Sequence, residues 1–147
     1  MKKILAPIDF SPATLDVLEA TADLAKAIDA DVILFHSTQP PVVTSDYGLA
    51  MENVREFVEL AEKNALKQLD HALEKLSAQG IKAYASSASG SAITAIVDKA
   101  TEIQASYIVM GSHGHTAIYE LLVGSTTHGV LKGAPCPVVI VPANKKD

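Results

Sequence analysis

Tyr107-Ile108-Val109-Met110-Gly111-Ser112-His113-Gly114, and nine residues later Gly124-Ser125-Thr126-Thr127, is the stretch that decides how this chain folds. Tyr107 to Met110 is an apolar run, as expected of a strand buried on both faces. Gly111 follows directly, where the chain must turn with no Cβ in the way, and Gly114 lets backbone approach a ligand closely. Gly124 then leads hydroxyl residues into a short helix around Thr126 to Lys132, which stops at Gly133. A helix start presents unpaired N–H groups and a partial positive charge, both suited to phosphate. Ser125, Thr126 and Thr127 add hydroxyl donors in the same place. Either half alone reads as a turn or a cap. Together, on a strand end and a helix start, they read as a phosphate cradle. No Gly-Lys-Ser/Thr follows, and no G-x-G-x-x-G follows the first strand, so neither the Walker A loop nor the dinucleotide fingerprint is present.

Working outward, the rest of the chain alternates short apolar runs with helical periodicities. Lys3 to Ile8 reads as the first buried strand. Ser11-Pro12 offers a cap and a first helical residue, and Leu15, Leu18, Ala22, Ala25 and Ile28 form one inward stripe. Val32 to Phe35 is the second strand. Thr38 to Gly48 has no sustained period and reads as a long loop, expected to be mobile without ligand and partly ordered with it, with Tyr47 covering the site. Met51, Val54, Val58, Ala61, Ala65, Leu69, Ala72 and Leu76 form the stripe of a long amphipathic helix closed by Gly80. Ile81 to Ala85 is a weaker third strand, and Ser89-Gly90-Ser91 caps a helix whose inner face is Ile93, Ile96, Val97 and Ala100. Val138 to Val141, between Pro137 and Pro142, is the last strand. The order β-α-β-α-β-α-β-α-β defines an α/β fold: a single doubly wound domain over 1–147, with helices on both faces of a parallel sheet.

Composition agrees. About half of the 147 residues are apolar, 5% are aromatic, and the net charge is −5. Such an acidic chain repels a nucleic-acid backbone, whereas a local phosphate site made of N–H groups carries no formal charge. Cys136 is the one cysteine, so no internal disulfide forms and a reducing cytoplasm is the expected home. No run approaches the roughly 18 apolar residues of a membrane span.

The spacing G-x2-G-x9-G-[S/T] resembles that of the universal stress protein family, in its ATP-binding branch. Ile4-Leu5-Ala6-Pro7-Ile8-Asp9-Phe10-Ser11, the strand ending in His36, and Ala134-Pro135-Cys136-Pro137-Val138-Val139-Ile140-Val141 are similar to that family too. The resemblance covers essentially the whole chain. It implies a five-stranded parallel sheet of order 3-2-1-4-5, a homodimer, and a nucleotide-dependent regulatory or stress-response role. It also implies ATP, with Mg²⁺ held through its phosphates, at the carboxyl ends of strands one and four. On that resemblance Pro7, Asp9 and the backbone near Ser37 line the nucleoside. Gly111, Gly114, Gly124, Ser125 and Thr126, flanked by Met110 and Thr127, hold ribose and phosphates. With that strand order the ligand crevice falls where the order reverses, so Asp9 faces the glycine loop and serves ribose hydroxyls or Mg²⁺.

Two alternatives stand beside the ATP-binding module. His115 occupies a position where many family members carry a cation, which favours AMP or cyclic AMP. A slow ATPase or self-phosphorylating enzyme is the other, although no lysine or arginine lies near the loop and Lys132 is at the far end of its helix. His113 and His128 read as solvated loop residues, His36 as a satisfied polar group, and Cys136 as a buried, inert thiol. Val138, Val139, Ile140 and Val141 carry no charge to blunt an exposed sheet edge, so antiparallel self-pairing across a two-fold axis is expected there.

Overall fold

The computed structural model describes residues 1–38, 51–112 and 123–142, with the side chains of 51–54 excepted. Strands β1 (Lys2–Pro7), β2 (Ala30–Thr38), β3 (Ala83–Ser89), β4 (Tyr107–Gly111) and β5 (Val138–Val141) alternate with helices. Those are α1 (Thr14–Ile28), α2 (Met51–Ala78), α3 (Ala92–Ile103) and α4 (Ser125–Gly133). The strands form a five-stranded sheet of order β3-β2-β1-β4-β5. Every pairing is parallel, with Ile4 beside Val32 on one side and beside Tyr107 on the other. Parallel neighbours need a crossover, and a helix supplies each one.

Period-two alternation along the central strands divides the core between two faces. Ile4, Ala6, Val32, Leu34 and Val109 meet Val17, Leu18, Ala22 and Ala25 of α1 and Leu69, Ala72 and Leu76 of α2. Leu5, Ile33, Phe35, Ile108 and Met110 meet Ile96 and Ala100 of α3 and Val130 of α4. Ile4, Leu5, Val32, Leu34, Ile108 and Val109 are fully buried, and each such side chain stabilises the fold by about 1.5–3 kcal/mol.

Several boundaries differ from the sequence expectation, each for a local reason. Ser11 does not cap α1: the helix starts at Thr14, after Ala13, with no side-chain cap. The Ser11 N–H is taken by Asp9 Oδ1 at 2.9 Å, and its carbonyl accepts the Thr14 N–H at 3.0 Å, so Pro12 and Ala13 belong to a turn ahead of the helix. Leu15, expected inward, is 62% exposed. Thr21 is buried in the α1 face, its hydroxyl donating to the Val17 carbonyl at 2.7 Å, which is how a polar residue joins an apolar stripe.

In α2 only the C-terminal half of the expected stripe is fully buried. Leu69, Ala72 and Leu76 are buried, Val58 and Ala65 are half-buried, and Ala61 is exposed. At 1.5 Å per residue a helix of 28 residues is about 42 Å long, whereas the seven residues of β3 span about 23 Å, so the helix outruns its sheet. The third strand runs from Ala83, not Ile81. Gly80, at φ +80°, ends α2, and the Ile81 N–H donates back to the Leu76 carbonyl at 3.2 Å. That six-to-one bond brings Ile81 against Leu76, so its apolarity serves the helix end. Gly111 is the last residue of β4, paired with Val141, and does not itself make the turn.

Glycines inside α4 let it lie close on α3. A Cβ at Gly129 would overlap the Ile93 side chain, and one at Gly133 would lie 3.3 Å from Val97 Cγ2. Glycine in a helix costs about 1 kcal/mol relative to alanine, which the close approach offsets. Gly129→Ala is therefore expected to lower stability despite better helix propensity, and Gly129→Val to lower it by about 1–3 kcal/mol through overpacking. Urea unfolding checks this, and a Gly129→Ala protein more stable than the parent would show that the helices have room.

Candidate functional site

β1 and β4 are neighbours whose chains leave in opposite directions, β1 toward β2 and β4 toward β5. Past their carboxyl ends lies the crevice that doubly wound sheets use for ligands. On the β1 side the ladder is prolonged by the Ile8 N–H donating to the Phe35 carbonyl at 2.9 Å. The chain then turns at Phe10, whose φ of 61° puts a bulky side chain in the left-handed region. Such a conformation costs about 1–3 kcal/mol and persists only where surroundings enforce it. Two contacts do so here. Asp9 Oδ1 bridges the turn to the Ser11 N–H, and the Phe10 ring rests on His36 with centroids 4.7 Å apart. His36 is fixed in turn by its Nδ1, 3.1 Å from the Ile8 carbonyl, so this nitrogen is the donor. The Asp9 carboxylate is thus held at the mouth of β1.

On the β4 side a set of short bonds docks α4 onto the strand end. The Ser112 N–H donates to the Val141 carbonyl at 2.9 Å, and the Gly124 N–H donates to the Ser112 carbonyl at 2.6 Å. The Thr127 hydroxyl donates to the Gly111 carbonyl at 2.8 Å, and Thr127 is 3% exposed. Gly124 is extended (φ −71°, ψ 167°) and supplies no side-chain cap. The first intrahelical bond runs from the His128 N–H to the Gly124 carbonyl at 2.9 Å. The N–H groups of Ser125, Thr126 and Thr127 precede it and have no partner within the helix. No acidic residue stands in that first turn, and the helix's cation, Lys132, is in its last turn.

The residues singled out in the sequence fall into three groups. Pro7 ends β1 and Asp9 follows it in the turn, and Gly111, Gly124, Ser125 and Thr126 surround the facing helix start, with Ser125 exposed and Thr126 half-buried. Met110 and Thr127 are buried supports: Met110 is 5% exposed in the core under α3 and α4, and the Thr127 hydroxyl is spent on Gly111. Ser37 is on β2, two residues past the Phe35 that pairs with Pro7, and its hydroxyl donates to the Gly90 carbonyl at 3.2 Å. Gly114, His113, His115 and Tyr47 lie outside the described residues, as does most of the Thr38–Gly48 loop; Thr38 itself is still in β2. His128 is exposed and His36 has its partner. Cys136 is half-buried rather than buried, and burial pushes its thiol pKa above the ordinary value, which keeps it protonated and unreactive. Sequence reasoning missed Ser112 and the left-handed Phe10. The signal for the second was Asp9 two residues before Ser11, the spacing of a side-chain-closed turn.

Fold and site together define a doubly wound α/β protein that presents a helix N-terminus at its topological switch point. Comparison with known proteins gives the family: the universal stress protein family matches residues 1–142, and the chain belongs to it. Universal stress protein YxiE of Bacillus subtilis is 33% identical over 144 residues, covering 95% of this chain and 97% of that one. The solved structure of MJ0577, from Methanocaldococcus jannaschii, superposes with a TM-score of 0.85 at 28% identity, over 99% of this chain and 98% of that one. A universal stress protein in complex with cAMP shares the fold at a TM-score of 0.73 and 20% identity, covering 97% and 98%. The Archaeoglobus fulgidus protein in complex with dAMP shares it at 0.68 and 21%, covering 96% and 98%. Among the described residues no helix is long and apolar enough to cross a membrane.

The turn after β1 predicts how substitutions at Asp9 behave without any ligand. Asp9→Asn keeps the oxygen that accepts from Ser11 and is expected to leave stability nearly unchanged. Asp9→Ala removes it and is expected to cost about 0.5–1.5 kcal/mol. Thermal unfolding of the ligand-free proteins measures both, and equal midpoints for Ala and Asn would show that the bond contributes nothing.

Proposed function

We propose that this chain is a nucleotide-binding regulatory protein of the stress response, and that it holds ATP, with Mg²⁺ on its phosphates, at the start of α4. The observation that carries this is the seating of an uncapped, acid-free helix N-terminus on the end of β4, directly across from β1. Such a start favours anions through its free N–H groups and dipole. Ser125, with its exposed hydroxyl, and Gly124 are the phosphate contacts, joined by Gly114. Asp9 faces ribose or the metal, its carboxylate set beside the crevice by the bond from the Ser11 N–H. The relatives with cAMP and dAMP support an adenine nucleotide as the ligand class. They also keep the monophosphate reading open, which His115 favours over triphosphate. A single cysteine fits a reducing cytoplasm.

Binding rather than rapid turnover is the expected activity. Phosphoryl transfer needs cationic clamps and a group to position the nucleophile, and the first turn of α4 offers neither. Ser125→Ala is expected to weaken ATP binding by about 1–3 kcal/mol, and Gly114→Val by more. Calorimetric titration with ATP and AMP is the test, alongside phosphate release in Mg²⁺. Parent-like affinity in both variants would reduce the loop to a turn. Steady turnover at about 1–100 s⁻¹, abolished by Asp9→Ala, would make the protein an enzyme.

The same reading includes a homodimer through β5. Val138 to Val141 stands at the sheet edge with Val139 36% exposed, and it carries no charge to discourage pairing. Self-pairing about a two-fold axis satisfies both edges. The Val139→Lys, Ile140→Lys double variant is expected to sediment as a monomer while the parent sediments as a dimer. A parent monomer at micromolar concentration, or a dimeric double variant, would rule this interface out.

A further inference from the structure

A cavity of about 480 Å³ lies between α1 and α2, on the face of the sheet opposite α4. That volume is in the range of small-molecule sites, about 300–1,000 Å³. Alternation along β1 separates it from the nucleotide crevice. Ile8 lines the cavity and belongs to the α1/α2 core, whereas Pro7 and Asp9 flank it in the alternate register and line no part of the cavity. Ile8, Phe10, Leu15 and Leu18 make an apolar wall. Leu15, 62% exposed, extends this apolar wall to the cavity mouth.

The opposite wall is cationic. Lys67, His71 and Lys75 recur every four residues along one face of α2 and all three line the cavity. Asp70 and Glu74, which adjoin them in sequence, do not line it. Among the described residues none of the three has an acidic partner, in a chain whose net charge is −5. Thr14, at the cavity wall, has a hydroxyl shielded from solvent with no hydrogen-bond partner, while its N–H is taken by the Ser11 carbonyl and Asp16 stands in the first turn of α1.

We propose that this cavity is a second ligand site, for a small organic anion with an apolar body. The anionic group lies toward Lys67, His71 and Lys75, and the apolar body covers Leu15 and Phe10. The shared chemistry is a carboxylate, sulfonate or phosphate monoanion on a hydrocarbon or aromatic frame. An inorganic anion would leave the apolar wall wet, and a neutral lipid would leave the lysines unpaired.

The test uses the full chain with 8-anilinonaphthalene-1-sulfonate as reporter and decanoate, 1-decanol and ATP as competitors. Saturable binding at one site per chain is expected, with decanoate displacing the reporter at least tenfold better than 1-decanol and ATP not displacing it. The Lys67→Ala, Lys75→Ala double variant is expected to lose at least tenfold in decanoate affinity with its unfolding midpoint unchanged. Leu15→Glu, at an exposed position, puts a like charge at the mouth and is expected to abolish binding. Equal displacement by decanoate and decanol, displacement by ATP, parent-like affinity in either variant, or no saturable binding would each overturn the proposal.

Discussion

The bond from the Thr127 hydroxyl to the Gly111 carbonyl ties the start of α4 to the end of β4. An alanine at 127 would leave a shielded carbonyl without this donor, and the helix start free to lift. The Gly124 N–H on the Ser112 carbonyl and the Ser112 N–H on Val141 carry the same tether across to β5. Behind them, Gly129 and Gly133 remove the side chains that would hold α4 away from α3. The placement of the helix dipole is therefore a consequence of packing on two sides. A strand end fixes the first turn, and a neighbouring helix fixes the axis.

This arrangement explains how an acidic chain can be read as a phosphate binder. Lysine side chains bring charge but lose rotamer freedom on binding, whereas backbone N–H groups are fixed in place when the helix forms. The cost is local strain and crowding. Phe10 in a left-handed conformation and two glycines inside a nine-residue helix are both unfavourable by themselves. Phe10 stands at the crevice and the glycines stand where α4 closes on α3, which is where consistency with local preference is expected to fail.

The sheet was legible because its strands are buried on both faces. Val138 to Val141 matches the expectation residue for residue, and Tyr107 onward differs only by Gly111. Strand order followed from the family resemblance and agrees with the observed order. Legibility failed wherever a residue's letter and its job part ways. Thr21 is polar yet buried, because it bonds within its own helix. Leu15 is apolar yet exposed, at a helix start that a turn held by Asp9 moves from Pro12 to Thr14. Ile81 looks like a strand residue but closes α2, and Ser86, Ser87 and Ser89, which look like loop, form an edge strand. Within the site, the glycines and hydroxyls announced themselves. Which hydroxyl supports the helix and which faces outward did not, since Ser125, Thr126 and Thr127 are equivalent as letters. Only helix geometry turns Thr127 inward to Gly111 and leaves Ser125 exposed.

The turn from Asp9 to Ser11 is the element the two proposed sites have in common. Its carboxylate belongs to the nucleotide side, while Phe10 and Ser11 line the cavity between α1 and α2. Because the Asp9 side chain holds the Ser11 N–H, neither residue can shift without the other. The Phe10 ring carries the same constraint to His36 and so to the end of β2. A bulky residue in the left-handed region costs about 1–3 kcal/mol, so contacts on both sides of the turn hold it there together. Any coupling between the two sites then has a defined route of three residues, and it is reciprocal: an anion that favours one setting of the turn changes nucleotide affinity by the factor with which nucleotide changes its own.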